Sequence, residues 1–121
     1  MYFKFEKLEV WKLARKFAVE IYKLTRKFPR DELFGLVSQI RRATISVMLN
    51  IAEGSNRKSD ADFRRFLLIS LTSLEEVVSG FYIALDQNFI NQREFDILYI
   101  ESNKLASKLS ALIKSLEIKN G

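Results

Sequence analysis

Apolar residues recur at steps of three and four through four stretches of the chain, and three short polar or helix-breaking interruptions separate them. That spacing marks helices that each bury one face. The first stretch covers residues 8–28, with Trp11, Ala14, Ala18, Ile21, Thr25 and Phe28 on a common face. Pro29 ends it, since proline cannot donate to a helical ladder, and Arg30 to Glu32 make the turn. The second covers residues 34–53, with Leu36, Ile40, Ala43, Val47 and Ile51 as its core stripe. Gly54 follows, where a glycine in the left-handed conformation would cap the last turn, and residues 55–58 form the loop. The third begins at Ser59, with Asp62 placed to complete a capping box, and stops near Asn88. Phe63, Leu67, Ser70, Leu74, Val77, Phe81 and Ala84 form its seam. The fourth starts at Asn91 with Glu94 at the matching capping position, and Phe95, Leu98, Ser102, Leu105, Leu109, Leu112 and Leu116 continue the pattern. Short connections make successive helices antiparallel. The predicted fold is therefore all-α, an antiparallel up-down four-helix bundle, with residues 1–121 forming one domain.

The second helix carries more than one stripe. Ile45, Leu49 and Ala52 gather nearly opposite its core face. Leu68, Ile69 and Ile83 do the same on the third helix. Scattered surface apolar residues are ordinary, whereas a cluster of them marks a subunit interface. The second reading makes Ile45, Leu49 and Ala52 an oligomer contact. Between the apolar arcs run Gln39, Arg42, Ser46, Asn50 and Glu53. These residues form either a plain solvent face or a hydrogen-bond network of Gln39, Ser46, Asn50 and Glu53 that fixes helix register.

Composition removes whole classes of chemistry. The chain has no histidine and no cysteine, so the commonest general base, thiolate catalysis and disulfides are excluded. A di-iron bundle site built on Glu-x-x-His motifs is excluded with them. The four glycines are dispersed, so no phosphate-cradling loop exists. Glu75 and Glu76 are adjacent and point about 100° apart on a helix, which suits solvated charges better than a shared proton. No catalytic residue, metal site or cofactor is expected. The sequence shows no secretory pattern, and the most apolar stretch, residues 66–85, is interrupted by the same two glutamates. A cytoplasmic protein without membrane contact is the default expectation.

The net charge is +5, which fits an acidic partner without requiring one. Its distribution says more. Arg57, Lys58, Arg64 and Arg65 surround the loop after the second helix. Arg64 and Arg65 stand near a helix start, where the macrodipole disfavours cations, so local helix physics does not account for them. Phosphate contact does, with Arg41 and Arg42 as support. Asp60 and Asp62 dilute the field, and a solvated charged corner is the competing reading.

Several blocks together resemble a known family. They are Leu8-Glu9-Val10-Trp11, Gln39-Ile40-Arg41-Arg42-Ala43, Asn50-Ile51-Ala52-Glu53-Gly54 with Arg57, and Phe63-x-Arg65-Phe66-Leu67. The chain resembles the bacterial four-helix-bundle proteins of the S23 type, encoded in intervening sequences of 23S ribosomal RNA genes. The resemblance implies a ring-like homo-oligomer, commonly a pentamer, and an association with RNA. It also implies kinship with accessory proteins of diversity-generating retroelements, which bind a reverse transcriptase and nucleic acid. It carries over no catalytic residue. Met48 stands near where relatives often have proline; a missing kink there would alter the oligomer angle more than the fold. The expected function is a non-enzymatic, oligomeric RNA- or nucleoprotein-binding module. The alternative is a protein–protein adaptor or scaffold without nucleic-acid contact.

Overall fold

The computed structural model describes residues 3–120, with side chains as far as residue 117. Four long helices make up the body: α1 (Glu9–Thr25), α2 (Leu36–Ser55), α3 (Asp60–Asp86) and α4 (Gln92–Asn120). Short 3-10 turns at Lys4–Lys7 and Arg30–Glu32 precede α1 and α2. No strand occurs among the described residues. Helices that follow one another in sequence pack side by side, and α1 closes against α4, which makes the up-down four-helix bundle that the periodicity predicts.

The helix ends follow from side-chain chemistry. Ser59 accepts a hydrogen bond from the Asp62 amide at 3.1 Å and so caps α3. A full capping box opens α4: the Asn91 amide donates to Glu94 at 2.9 Å, and the Glu94 amide donates to the Asn91 side chain at 2.8 Å. α3 ends on Asn88, whose φ of 63° is left-handed. The amides of Asn88 and Phe89 reach back to the carbonyls of Leu85 and Ala84, a Schellman closure with asparagine in the glycine position. α1 ends three residues earlier than its periodicity predicts. Lys27 and Phe28 bond to Leu24 and Thr25 in tighter three-residue steps, because Pro29 pushes the residue before it out of the helical region.

Gly54 departs from the expected role. α2 continues through it to Ser55, and no glycine among the described residues has a positive φ. The glycine is required for space instead. A Cβ at Gly54 would lie 2.8 Å from the Phe66 Cβ, 2.9 Å from the Phe63 ring and 3.3 Å from the Phe63 carbonyl. A Cβ at Gly80 would lie 2.7 Å from Ile40. These two contacts, at opposite ends of the α2–α3 pair, let the two helices approach closely, and this is the most extensive packing in the molecule.

The core holds the seams of α2, α3 and α4 almost as the spacing predicts. In α4, Ile113 is buried where Leu112 was expected, and Leu112 sits half-buried beside it. The stripe of α1 is rotated. Val10, Ala14, Phe17, Ile21 and Thr25 are buried, while Trp11 and Ala18 are half-buried. The N-terminal turn accounts for Trp11, since Phe5 packs edge-on against it at 4.8 Å between centroids. α3 is the most apolar helix, long and apolar enough by composition to cross a membrane, yet here it packs against both α2 and α4. The loosest seam lies between α1 and α4. A groove of about 390 Å³ runs along it over Leu13, Phe17, Leu24 and Leu98, and the pairs Lys27–Glu94 and Lys108–Glu9 (3.4 Å) bridge it.

The glycine contacts give a sign that helix propensity alone would reverse. Alanine gains about 1 kcal/mol over glycine in a helix, but overpacking a tight contact costs about 1–3 kcal/mol. Besides the Phe63 ring, the atoms facing Gly54 are the Phe66 Cβ and a backbone carbonyl, which cannot swing aside. Gly54→Ala is therefore predicted to lower the urea unfolding midpoint. An unchanged or raised midpoint would show that α2 and α3 do not approach so closely.

Candidate nucleic-acid interface

Two of the five residues of the polar strip on α2, Ser46 and Asn50, form a hydrogen-bond network that reaches α3. The Ser46 hydroxyl pairs with the Ser73 hydroxyl of α3 at 2.7 Å. Asn50 donates its amide to the Ser46 carbonyl at 2.9 Å and to the Ser46 hydroxyl at 3.0 Å. One turn inward, Ser70 donates to the Val47 carbonyl at 2.8 Å. Glu53 belongs to a different group, pairing with Arg57 at 2.6 Å. Gln39 and Arg42 are exposed and make no side-chain hydrogen bond or ion pair among the described residues. The strip is thus a clasp at Ser46 and Asn50 with a solvent-facing end at Gln39 and Arg42. Ser73 completes the clasp, and it carried no sequence signal beyond its place beside the α3 seam.

The basic corner is built where α2 ends and α3 begins. Its platform is Phe66: the Arg57 guanidinium lies 4.6 Å from the ring centroid and that of Arg65 lies 4.7 Å away. Cation–π contact of this kind fixes two long side chains that would otherwise sample many rotamers. Each also has a carboxylate neighbour, Glu53 for Arg57 and, at 3.7 Å, Asp62 for Arg65. Lys58 and Arg64 have no carboxylate partner among the described residues. The corner therefore divides its labour. Arg57 and Arg65 form a partly neutralised base on Phe66, and Lys58 and Arg64 are left without a counter-charge among the described residues. Phe66 is half-buried, so its part in holding the arginines was hidden in sequence behind its apolar character.

Arg41 and Arg42 stand apart from this corner, roughly 20 Å away along α2 at 1.5 Å per residue. Arg41 is tied to the end of α1. Its Nε donates to the Thr25 hydroxyl at 3.0 Å, its Nη2 reaches the Tyr22 carbonyl at 3.5 Å, and its guanidinium lies 4.5 Å from the Tyr22 ring. A cation at the C-terminal end of a helix opposes the dipole. Arg41 thus holds α1 to α2, and Arg42 projects into solvent.

Two apolar surfaces lie outside the core. On α2, Ile45 is 40% exposed and Leu49 is 62% exposed, while Ala52 is half-buried near the N-terminal turn. Around the opposite α3–α4 edge, Tyr82, Ile83, Tyr99 and Ile100 are all exposed. Tyr82 packs on Phe95 at 4.7 Å, and Phe95 in turn on Tyr99 at 5.9 Å, so the two exposed tyrosines of this edge flank the buried Phe95 ring. The aromatic edge went unnoticed in sequence because Phe95 reads only as core.

The model of the 23S rRNA-intervening sequence protein family matches residues 6–111. A crystal structure of a protein of unknown function from the S23 ribosomal protein family of Bacteroides thetaiotaomicron is similar at 25% identity. That similarity covers 87% of this chain and 95% of the other, with a TM-score of 0.80. No curated protein matches the chain.

The clasp is testable without any ligand. Ser46→Ala and Ser73→Ala are each predicted to destabilise the protein. A double-mutant cycle by urea unfolding should give a coupling of about 0.5–1.5 kcal/mol, the worth of a net intramolecular hydrogen bond. Strictly additive losses would mean that the two hydroxyls are satisfied separately by water.

Proposed function

Because the chain belongs to the 23S rRNA-intervening sequence protein family, we propose that it is a non-enzymatic, oligomeric module that binds RNA through its basic corner. The observation that carries this reading is the corner itself, where Arg57 and Arg65 are anchored on Phe66 while Lys58 and Arg64 have no carboxylate partner among the described residues. Phosphate contacts need cations held in place yet free to exchange water for an anion. The absence of histidine and cysteine supports a binding role rather than a catalytic one. A cytoplasmic location away from membranes is consistent with this, and a reverse transcriptase or ribonucleoprotein is a further partner that the resemblance implies.

Assembly belongs to the same proposal. A closed ring uses heterologous contacts, in which one surface of each protomer meets a different surface of the next. The α2 face around Ile45, Leu49 and Ala52 and the aromatic α3–α4 edge supply two such surfaces. We take the ring to be a pentamer on the strength of the resemblance. One corner is weak, since four cations share it with Glu53, Asp60 and Asp62. Repetition around a ring raises avidity without new contacts.

Two measurements test the proposal. RNA affinity should fall with salt, because each neutralised phosphate releases counterions, at a log–log slope of about −0.7 per contact on a single strand. The double variant Arg57→Ala with Arg64→Ala should bind more weakly and with a shallower slope. Equal isotherms for the two proteins would reduce the corner to a solvated face and favour the adaptor reading. Leu49→Asp should dissociate the oligomer in light scattering while leaving helical circular dichroism intact, because an unpaired charge buried at an interface costs about 2–5 kcal/mol. A wild-type particle of 14.1 kDa at micromolar concentration would end the assembly reading.

A further inference from the structure

The groove beside the corner has a composition that the fold does not explain. It lies between the N-terminal turn and the end of α2, encloses about 580 Å³, and is lined by Phe3, Lys4, Leu49, Asn50, Asn56 and Phe66 among others. Phe3 is 68% exposed, an unusual cost for a phenylalanine with a core nearby. It is nevertheless ordered. Its ring stacks on Phe5 at 5.7 Å with an interplanar angle of 23°, Phe5 packs edge-on against Trp11, and the Phe3 amide donates to Glu6 at 2.6 Å. A chain of rings thus runs from the side of α1 to an aromatic surface at the groove.

Polar groups with spare capacity stand around that ring. The Asn56 side chain makes no hydrogen bond among the described residues, which leaves both an amide donor and a carbonyl acceptor for a ligand. Asn50 has its amide committed to Ser46 and keeps its carbonyl. Lys4, like Lys58 two residues beyond Asn56, has no carboxylate partner among the described residues. Glu53 also lines the groove, but Arg57 neutralises it at 2.6 Å. An aromatic face, an amide with a donor and an acceptor, one lining cation in Lys4, and a second, Lys58, outside the lining but two residues along the chain from Asn56 make up the equipment that recognises one splayed-out nucleotide. A paired base inside a duplex cannot reach such a ring.

Resting on the RNA reading above, we infer that this groove takes an unpaired nucleotide of single-stranded RNA. The base stacks on Phe3, its edge meets the Asn56 amide, and the flanking phosphates contact Lys4 and Lys58. The interface thereby extends from the corner onto the N-terminal turn and becomes selective for single strands. Leu49 lines the same groove, so the nucleotide site borders the surface that the assembly proposal gives to a neighbouring protomer.

The test is fluorescence anisotropy with a labelled single-stranded RNA and a duplex of equal length, using the full chain at fixed salt. The wild type should prefer the single strand. Phe3→Ala should weaken single-strand binding about tenfold, the scale of one base–aromatic stack, and leave duplex binding unchanged. Phe3→Trp, which keeps a stacking face, should retain the preference, and its indole emission should quench on binding. Circular dichroism of each variant separates loss of fold from loss of contact. If Phe3→Ala binds both RNAs as the wild type does while Arg57→Ala with Arg64→Ala loses both, the RNA reading stands and the groove inference is overturned. Equal loss on single strand and duplex also overturns it. If no RNA binds at any salt concentration, both fall.

Discussion

The structure depends on how closely α2 can lie against α3. Interaxial distance in a helix pair is set by the side chains at the crossing, and here two of those positions have none. Gly54 faces Phe63 and Phe66 at one end, and Gly80 faces Ile40 at the other. Only at this separation can the short side chains of Ser46 and Ser73 meet, and only then can Ser70 reach the Val47 carbonyl. A hydroxyl has little reach, so these bonds report the spacing as directly as the glycines do. The same contact puts Phe66 under the end of α2, where the guanidinium of Arg57 finds it. Core spacing and the shape of the charged corner are therefore consequences of one steric fact.

Much of this was legible in the sequence, though unevenly. The seams of α3 and α4 could be read because the alternation of three- and four-residue steps runs unbroken along each helix, even with further apolar residues such as Leu68, Ile69 and Ile100 outside it, and their N-termini because Ser59, Asn91 and Glu94 sit at capping spacing. α1 was harder to read. Its apolar residues fill a wide arc, and nothing local reveals that the N-terminal turn covers Trp11 and leaves Val10 and Phe17 to the core. Gly54 failed for another reason. A glycine after a helical run has two explanations, backbone conformation and space, and only the position of α3 decides between them. Arg41 shows the same limit for a charge: its neighbour in sequence is Arg42, but its position is set by the Thr25 hydroxyl and the Tyr22 carbonyl of a different helix.

The candidate site illustrates how an almost balanced patch can still be directional. Glu53 and Asp62 are spent on the two arginines that Phe66 also holds, so the unpaired charges of the corner are Lys58 and Arg64, offset in part by Asp60. Screening over about 10 Å at 0.1 M salt confines their field to ligands in near contact. The corner is suited to holding what is already docked rather than to steering ligands from afar.

The open seam between α1 and α4 has a consequence for how the protein comes into being. Of the four helices, α1 is made before the α2–α3 pair and α4 after it. α1 emerges with no partner for its apolar face, and the α2–α3 hairpin, with its glycine contacts and hydroxyl clasp, is the first unit able to shelter it. α4 follows the other three in the chain and completes the square with them. The seam it completes is the shallowest, held across its rims by Lys27–Glu94 and Lys108–Glu9. Amide hydrogens should accordingly exchange in a graded order, slowest along α2 and α3 and fastest where the outer two helices can part without disturbing the hairpin.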